Sequence, residues 1–162
     1  MLNETLTFES LRPADQGAFI GTPEKRALPA GFRLYKFTQY AAHRTAFDGA
    51  VTPWWSSVDP LDASDPGLAG TLERAERVGS SPNEFARARA AVTLEWNAMT
   101  NLERVRLISP VWAFVGRCRT QRLSVSTDER TGAMLAPNVY LIGGAWQLFI
   151  PNLSWVDIAL DV

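Results

Sequence analysis

Cysteine and histidine are almost missing from this 162-residue sequence, which holds one of each, Cys118 and His43. A lone cysteine forms no internal disulfide, so the fold needs no oxidising compartment, and Cys118 reads as a small buried hydrophobe. Zinc sites need three or four His, Cys or carboxylate ligands. One His and one Cys far apart leave no metal set, and His43 reads as a surface helix residue. An excess of charge of one sign is absent too, since 16 basic and 17 acidic residues give a net charge of -1. Nucleic acid is therefore not an expected partner, because bulk positive charge is what drives such binding. No apolar run reaches the roughly 18 residues of a spanning helix. Met1 to Ser10 carries Glu4 and Glu9 where a signal peptide has a basic stretch followed by an apolar one. The expected setting is the cytoplasm, without a membrane, although secretion that needs no cleaved signal would leave no mark.

Catalytic and nucleotide-binding signatures are also lacking. Ser56-Ser57 has no G-x-S-x-G context, Cys118 falls within an expected strand, and Gly67 and Gly70 make neither the P-loop nor the dinucleotide glycine pattern.

What is present suits an ordinary globular chain: 46% hydrophobic and 20% charged residues, enough for one core in a single domain spanning 1–162. Residues 1–31 form a loop-rich lead-in, with Pro13, Gly17, Gly21, Pro23, Pro29 and Gly31 as its punctuation. Phe32 to Thr38 (FRLYKFT) predicts a strand, with Phe32, Leu34 and Lys36 on one face and Arg33, Tyr35 and Phe37 on the other. A short helix over 39–47 is expected to stop at Asp48-Gly49, and Val51 to Val58 to resume an extended path bent at Pro53. After the turn-rich 59–66, Pro66 opens a helix that ends before Gly79. Ser81, Pro82 and Glu84 form a start signal, a capping hydroxyl with a Glu that can reach back to it, and Phe85, Ala88, Val92, Trp96 and Met99 then recur at helical spacing. That pattern predicts a central amphipathic helix over about 82–100. Beyond it the period falls to two, giving strands at 104–107, 111–118, 123–126, 139–142 and 145–150, with a tight turn or bulge at Gly143-Gly144. Helices in the middle and strands after them predict an α+β fold, with mainly antiparallel sheet in the C-terminal half.

Two features of the residues stand out. Arg104 and Arg106, and Arg117 and Arg119, are i,i+2 pairs that would build a phosphate-binding patch if their strands were neighbours, and a solvated strand face otherwise. Six tryptophans supply large anchors. Trp96 and Trp112 fit core stripes, while adjacent Trp54 and Trp55 must face opposite ways, so that one of them is a candidate to line a cleft.

Three segments in order, RLYKFT, PWWSSV and GGAWQLFIPNL, resemble the three strand motifs of ADP-ribosyltransferases over about a quarter of the chain. The resemblance implies NAD as substrate, a protein or other macromolecule as target, and a small effector or toxin as the setting. It implies that Lys36, following Leu34-Tyr35, binds the NAD phosphates, with Arg33 as its substitute, and that Ser56, Ser57 and Trp55 shape the NAD pocket. It also puts Gln147 where the family has its catalytic glutamate. A lysine loses the bidentate phosphate geometry of arginine, and an amide offers no charge to a developing cation. Another carboxylate, Glu95, Glu103 or Asp157, would have to supply that charge, or the domain is a degenerate, inactive relative. The alternative from the residues themselves is a non-enzymatic protein-binding module anchored by Trp54 or Trp55 beside the Gly143-Gly144 corner.

Overall fold

Alternation of buried and exposed side chains along short extended segments builds the centre of the molecule. The computed structural model describes residues 1–39, 51–94, 96–124, 126–134 and 138–161. Within them β1 (Glu24–Leu28), β2 (Arg33–Thr38), β3 (Trp54–Ser57), β4 (Asn101–Leu107), β5 (Val111–Arg117), β8 (Trp146–Phe149) and β9 (Ile158–Leu160) form one antiparallel sheet of seven strands. Its order is β1-β5-β8-β3-β2-β4-β9, and β6 (Gln121–Arg122) with β7 (Tyr140–Leu141) makes a separate ribbon. The helices are α1 (Pro13–Gly17), α2 (Gly67–Arg77) and α3 (Pro82–Ala90). The fold is thus α+β and mostly sheet, and three of the seven strands precede α2 and α3 in the chain.

One face of the sheet is the main core. Leu28 of β1, Val115 of β5, Leu148 of β8, Trp55 of β3, Leu34 of β2, Val105 of β4 and Ile158 of β9 belong to a single hydrophobic cluster, to which all seven strands contribute. Each such side chain taken out of water stabilises the fold by about 1.5–3 kcal/mol. The reverse face has a smaller aromatic cluster, in which Trp54 sits 5.2 Å from the Phe19 ring and 4.7 Å from that of Phe149, with Phe114 beside them.

Several expectations from the sequence are corrected. The helix of 82–100 ends at Ala90, because Ala91 is left-handed (φ 53°, ψ 44°) and the chain then wraps around the buried Arg87. The Arg87 guanidinium donates hydrogen bonds to the carbonyl oxygens of Val92, Thr93, Asn97 and Ala98, which a continuing helix would direct along its own axis. Ser81 makes no side-chain cap, and Glu84 instead lies 3.4 Å from Arg87. Trp96 is consequently 57% exposed rather than part of a core stripe, and Trp112 is half-buried with the Lys25 ammonium over its ring. The lead-in holds α1 and β1, with Pro13 opening α1 and Gly17 closing it, and Pro23 and Pro29 flanking β1. No strand covers 123–124 or 126, and β9 had no sequence signal. Nor are β4 and β5 neighbours, so Arg104 and Arg106 do not join Arg117 and Arg119 in a patch. Residues 40–47 of the helix expected over 39–47, with His43, and the acid Glu95 lie outside the described residues. Among the described residues no helix is long and apolar enough to cross a membrane.

Candidate functional site

Strand order makes β2, β3 and β8 consecutive neighbours, and register decides which of their side chains meet. Tyr35 pairs with Ser56, and Trp54 pairs with Phe149, so the next same-face position after Phe149 on β8, Gln147, falls opposite Ser56. Gln147 Nε2 accordingly donates to Ser56 Oγ at 2.8 Å and to the Trp146 carbonyl at 3.0 Å. Tyr35 hydrogen-bonds Ser56, and its hydroxyl lies 3.2 Å from Thr71 Oγ1, which donates to the Gly67 carbonyl at 2.7 Å. A polar ladder therefore runs from β8 through β3 and β2 to α2. Burial pushes the Tyr35 phenol above its ordinary pKa, so it is a neutral hydrogen-bonding group at physiological pH. Both amide hydrogens of Gln147 are engaged, which leaves Oε1 as the acceptor free to meet a ligand hydroxyl.

This ladder forms the floor of a cleft of about 480 Å³ between the sheet, α2, α3 and the N-terminal segment. Such a volume is in the range of small-molecule sites. Trp54 and Phe37 add apolar wall. Charge around the cleft is lopsided for a chain of net charge -1: Arg12, Lys36, Arg74, Arg89, Arg117 and Arg119 border it, against Asp15 and Asp65. Asp15 is neutralised by Arg12 at 2.7 Å, and Asp65 accepts the backbone N–H groups of Leu61 and Gly67.

Of the residues assigned to the NAD site from sequence, Ser56 and Gln147 meet on the cleft floor, Lys36 and Trp55 border the cleft without facing it, and Arg33 and Ser57 do not line it. Lys36 follows Tyr35 and so points to the main-core face, where its ammonium lies 3.8 Å from the Trp55 ring centroid and donates to Thr52 Oγ1 at 2.6 Å. It borders the cleft only from that side. Arg33 is exposed and paired with Asp59 at 2.6 Å. Ser57 is buried opposite Leu34, away from the cleft, and Trp55 is 1% exposed in the main core, so its ring cannot stack on a ligand. Trp54 takes the cleft-lining place instead, half-buried and wedged between Phe19 and Phe149. Glu103 sits across from Lys36 on the main-core face, and Asp157 caps Ser154 near β9. Cys118 is buried, its thiol pushed up by burial and donating to the Arg89 carbonyl.

Tyr35 was legible in principle, since placing Ser56 and Gln147 on one face selects the odd-numbered residues of β2 once the pairing is known. Arg89 carried no signal, because only the packing of α3 against the 143–145 corner brings it to the cleft. No protein-family model, curated protein or solved structure matches this chain, so the reading of the site rests on its own geometry.

Proposed function

We propose that this chain is an NAD-binding domain of ADP-ribosyltransferase type, with its ligand in the cleft over β2, β3 and β8, and that it transfers slowly or not at all. The observation that carries the reading is the Gln147–Ser56 hydrogen bond, which joins two of the three motif segments on the floor of one cleft. The residues fit such a ligand by chemistry: Gln147 Oε1 can accept a ribose hydroxyl, Trp54 and Tyr35 offer apolar ring surface, and arginines border the opening for phosphates. Transfer from NAD develops positive charge on the ribose, and fixed electrostatic stabilisation of developing charge is often the largest catalytic contribution. Gln147 brings none, and of the candidate acids within the described residues neither Glu103 nor Asp157 lines the cleft. Binding without efficient turnover follows.

Calorimetric titration with NAD, run beside an assay for nicotinamide release, tests this. Saturable binding is expected, with release near background in the native protein and raised by about tenfold or more in Gln147→Glu. Absence of heat in the titration, together with no release from either protein, would remove the proposal.

A further inference from the structure

Gly143 and Gly144 form a corner that stitches the end of α3 to the end of β5. The Gly143 amide donates to the Ala88 carbonyl at 3.0 Å, the Ala145 amide to the Arg89 carbonyl at 3.0 Å, and the Gly144 amide to the Cys118 carbonyl at 2.8 Å. Both glycines have positive φ, 72° and 80°, and a Cβ on Gly143 would lie 2.8 Å from the Arg119 backbone. A Cβ on Gly144 would sit 4.0 Å from Arg89 Nη2. The corner thus packs closely on the Arg119 backbone and lies beside the Arg89 guanidinium, and both arginines border the cleft. Arg117 joins them from below, donating to the Gly144 carbonyl at 2.9 Å and to Ser64 Oγ at 2.7 Å while stacking over Trp146.

These cations are not balanced. Among the described residues no ion pair includes Arg89, Arg117 or Arg119. Exposed Asp62 interacts with Arg117, but its carboxyl is held low first by Ser64 and only slightly by Arg117. Arg89 is half-buried, and a partly buried arginine without a carboxylate partner is an incomplete arrangement that an anion would complete. The planar donor forks of two arginines match phosphate oxygens in a way that a lysine does not.

We propose that Arg89 and Arg119, which border the cleft beside the Gly143-Gly144 corner, bind the diphosphate of the cleft's ligand. The inference rests on the reading of the cleft as a dinucleotide site, but it assigns the phosphates to residues of α3 and the β5 end rather than to the first motif strand. It accounts for the loss of Lys36 and Arg33 as phosphate ligands, since the required cations arrive from the other side of the cleft.

The test titrates NAD, ADP and nicotinamide riboside, the last lacking the diphosphate, into the native protein and into an Arg89→Ala/Arg119→Ala variant. ADP and NAD should bind the variant at least tenfold more weakly, with nicotinamide riboside changed by less than about twofold, and a double lysine variant should recover part of the loss. Equal affinity of ADP and NAD for native and variant proteins would overturn the inference. So would binding of nicotinamide riboside with no binding of ADP, a result that leaves the NAD reading standing. Arginine-dependent binding of ADP with no gain for NAD and no binding of nicotinamide riboside supports the inference and removes the NAD reading. If none of the three ligands binds the native protein, both are overturned. Should the double variant fail to fold, exposed Arg119→Ala alone carries the same comparison with a smaller, at least threefold, loss for ADP expected.

Discussion

Lys36 holds its ammonium on the core-facing side of β2, between Trp55 and Thr52, and burial lowers its pKa to about 8 from 10.5. Below the lower value both folded and unfolded chains carry the proton, and the folded state bears the full cost of the buried charge. Between the two values the unfolded chain keeps its proton while the folded chain has lost it, so stability rises with pH across that window. Urea unfolding of the native protein between about pH 7.5 and about pH 9.5 should therefore show a gain of about 2 kcal/mol that Lys36→Met does not show. Equal slopes would mean that the amine is solvated in the folded state. The comparison with the variant removes contributions that both proteins share, Tyr35 among them. Residue identities at the site were only half legible in the sequence. Ser56 and Gln147 were found, but Lys36 and Trp55 were placed in the cleft because strand alternation gives faces without saying which face of β2 meets which face of β3. That choice is made by the pairing of Tyr35 with Ser56, a contact between residues 21 positions apart.

At the scale of elements, α3 and the segment after it depend on one side chain. Arg87, 2% exposed, satisfies four backbone carbonyls between Val92 and Ala98 and so fixes the path that places Trp96 and Asn97 at the cleft. Arg87→Ala should lower the unfolding free energy by about 3 kcal/mol, since buried acceptors left without donors cost about 1–3 kcal/mol each before relaxation. Limited proteolysis within 91–100 should speed up in the same variant, and a change of less than about 0.5 kcal/mol would show that water replaces the guanidinium. The Gly143 corner is the second such joint. Gly143→Ala forces a side chain into a left-handed backbone against Arg119, with an expected loss of about 2 kcal/mol in thermal or urea unfolding, whereas Gly132→Ala, also at positive φ but in open space, should lose less. Periodicity revealed where α3 begins but not where it ends, because the apolar spacing of Val92, Trp96 and Met99 imitates a helix. The left-handed Ala91 and the Arg87 hydrogen bonds that stop it are visible only in three dimensions. Strands β2, β5 and β8 and helix α2 followed their sequence patterns closely. The weaker β1 and β9 lie at the sheet's edges, where fewer apolar positions are needed.

For the whole molecule, the α+β class came from the order of periodicities, while the layout that matters for function came from strand order. Three motif segments distant along the chain become adjacent strands β2, β3 and β8, and their sheet keeps its main core on one face and the polar ladder with its cleft on the other. Net charge concealed the arginines, because acids elsewhere on the surface balance them in the total but not at the cleft. The most direct measurement is an NMR titration of isotope-labelled protein with NAD, following backbone amides and tryptophan indole N–H signals. Saturable shifts at Ser56, Gln147, Ala145 and the Trp54 indole are expected, with Val105 and Ile158 on the main-core face unmoved. Spectra that do not change at high NAD concentration, or shifts confined to the residues around Val105 and Ile158, would contradict the account.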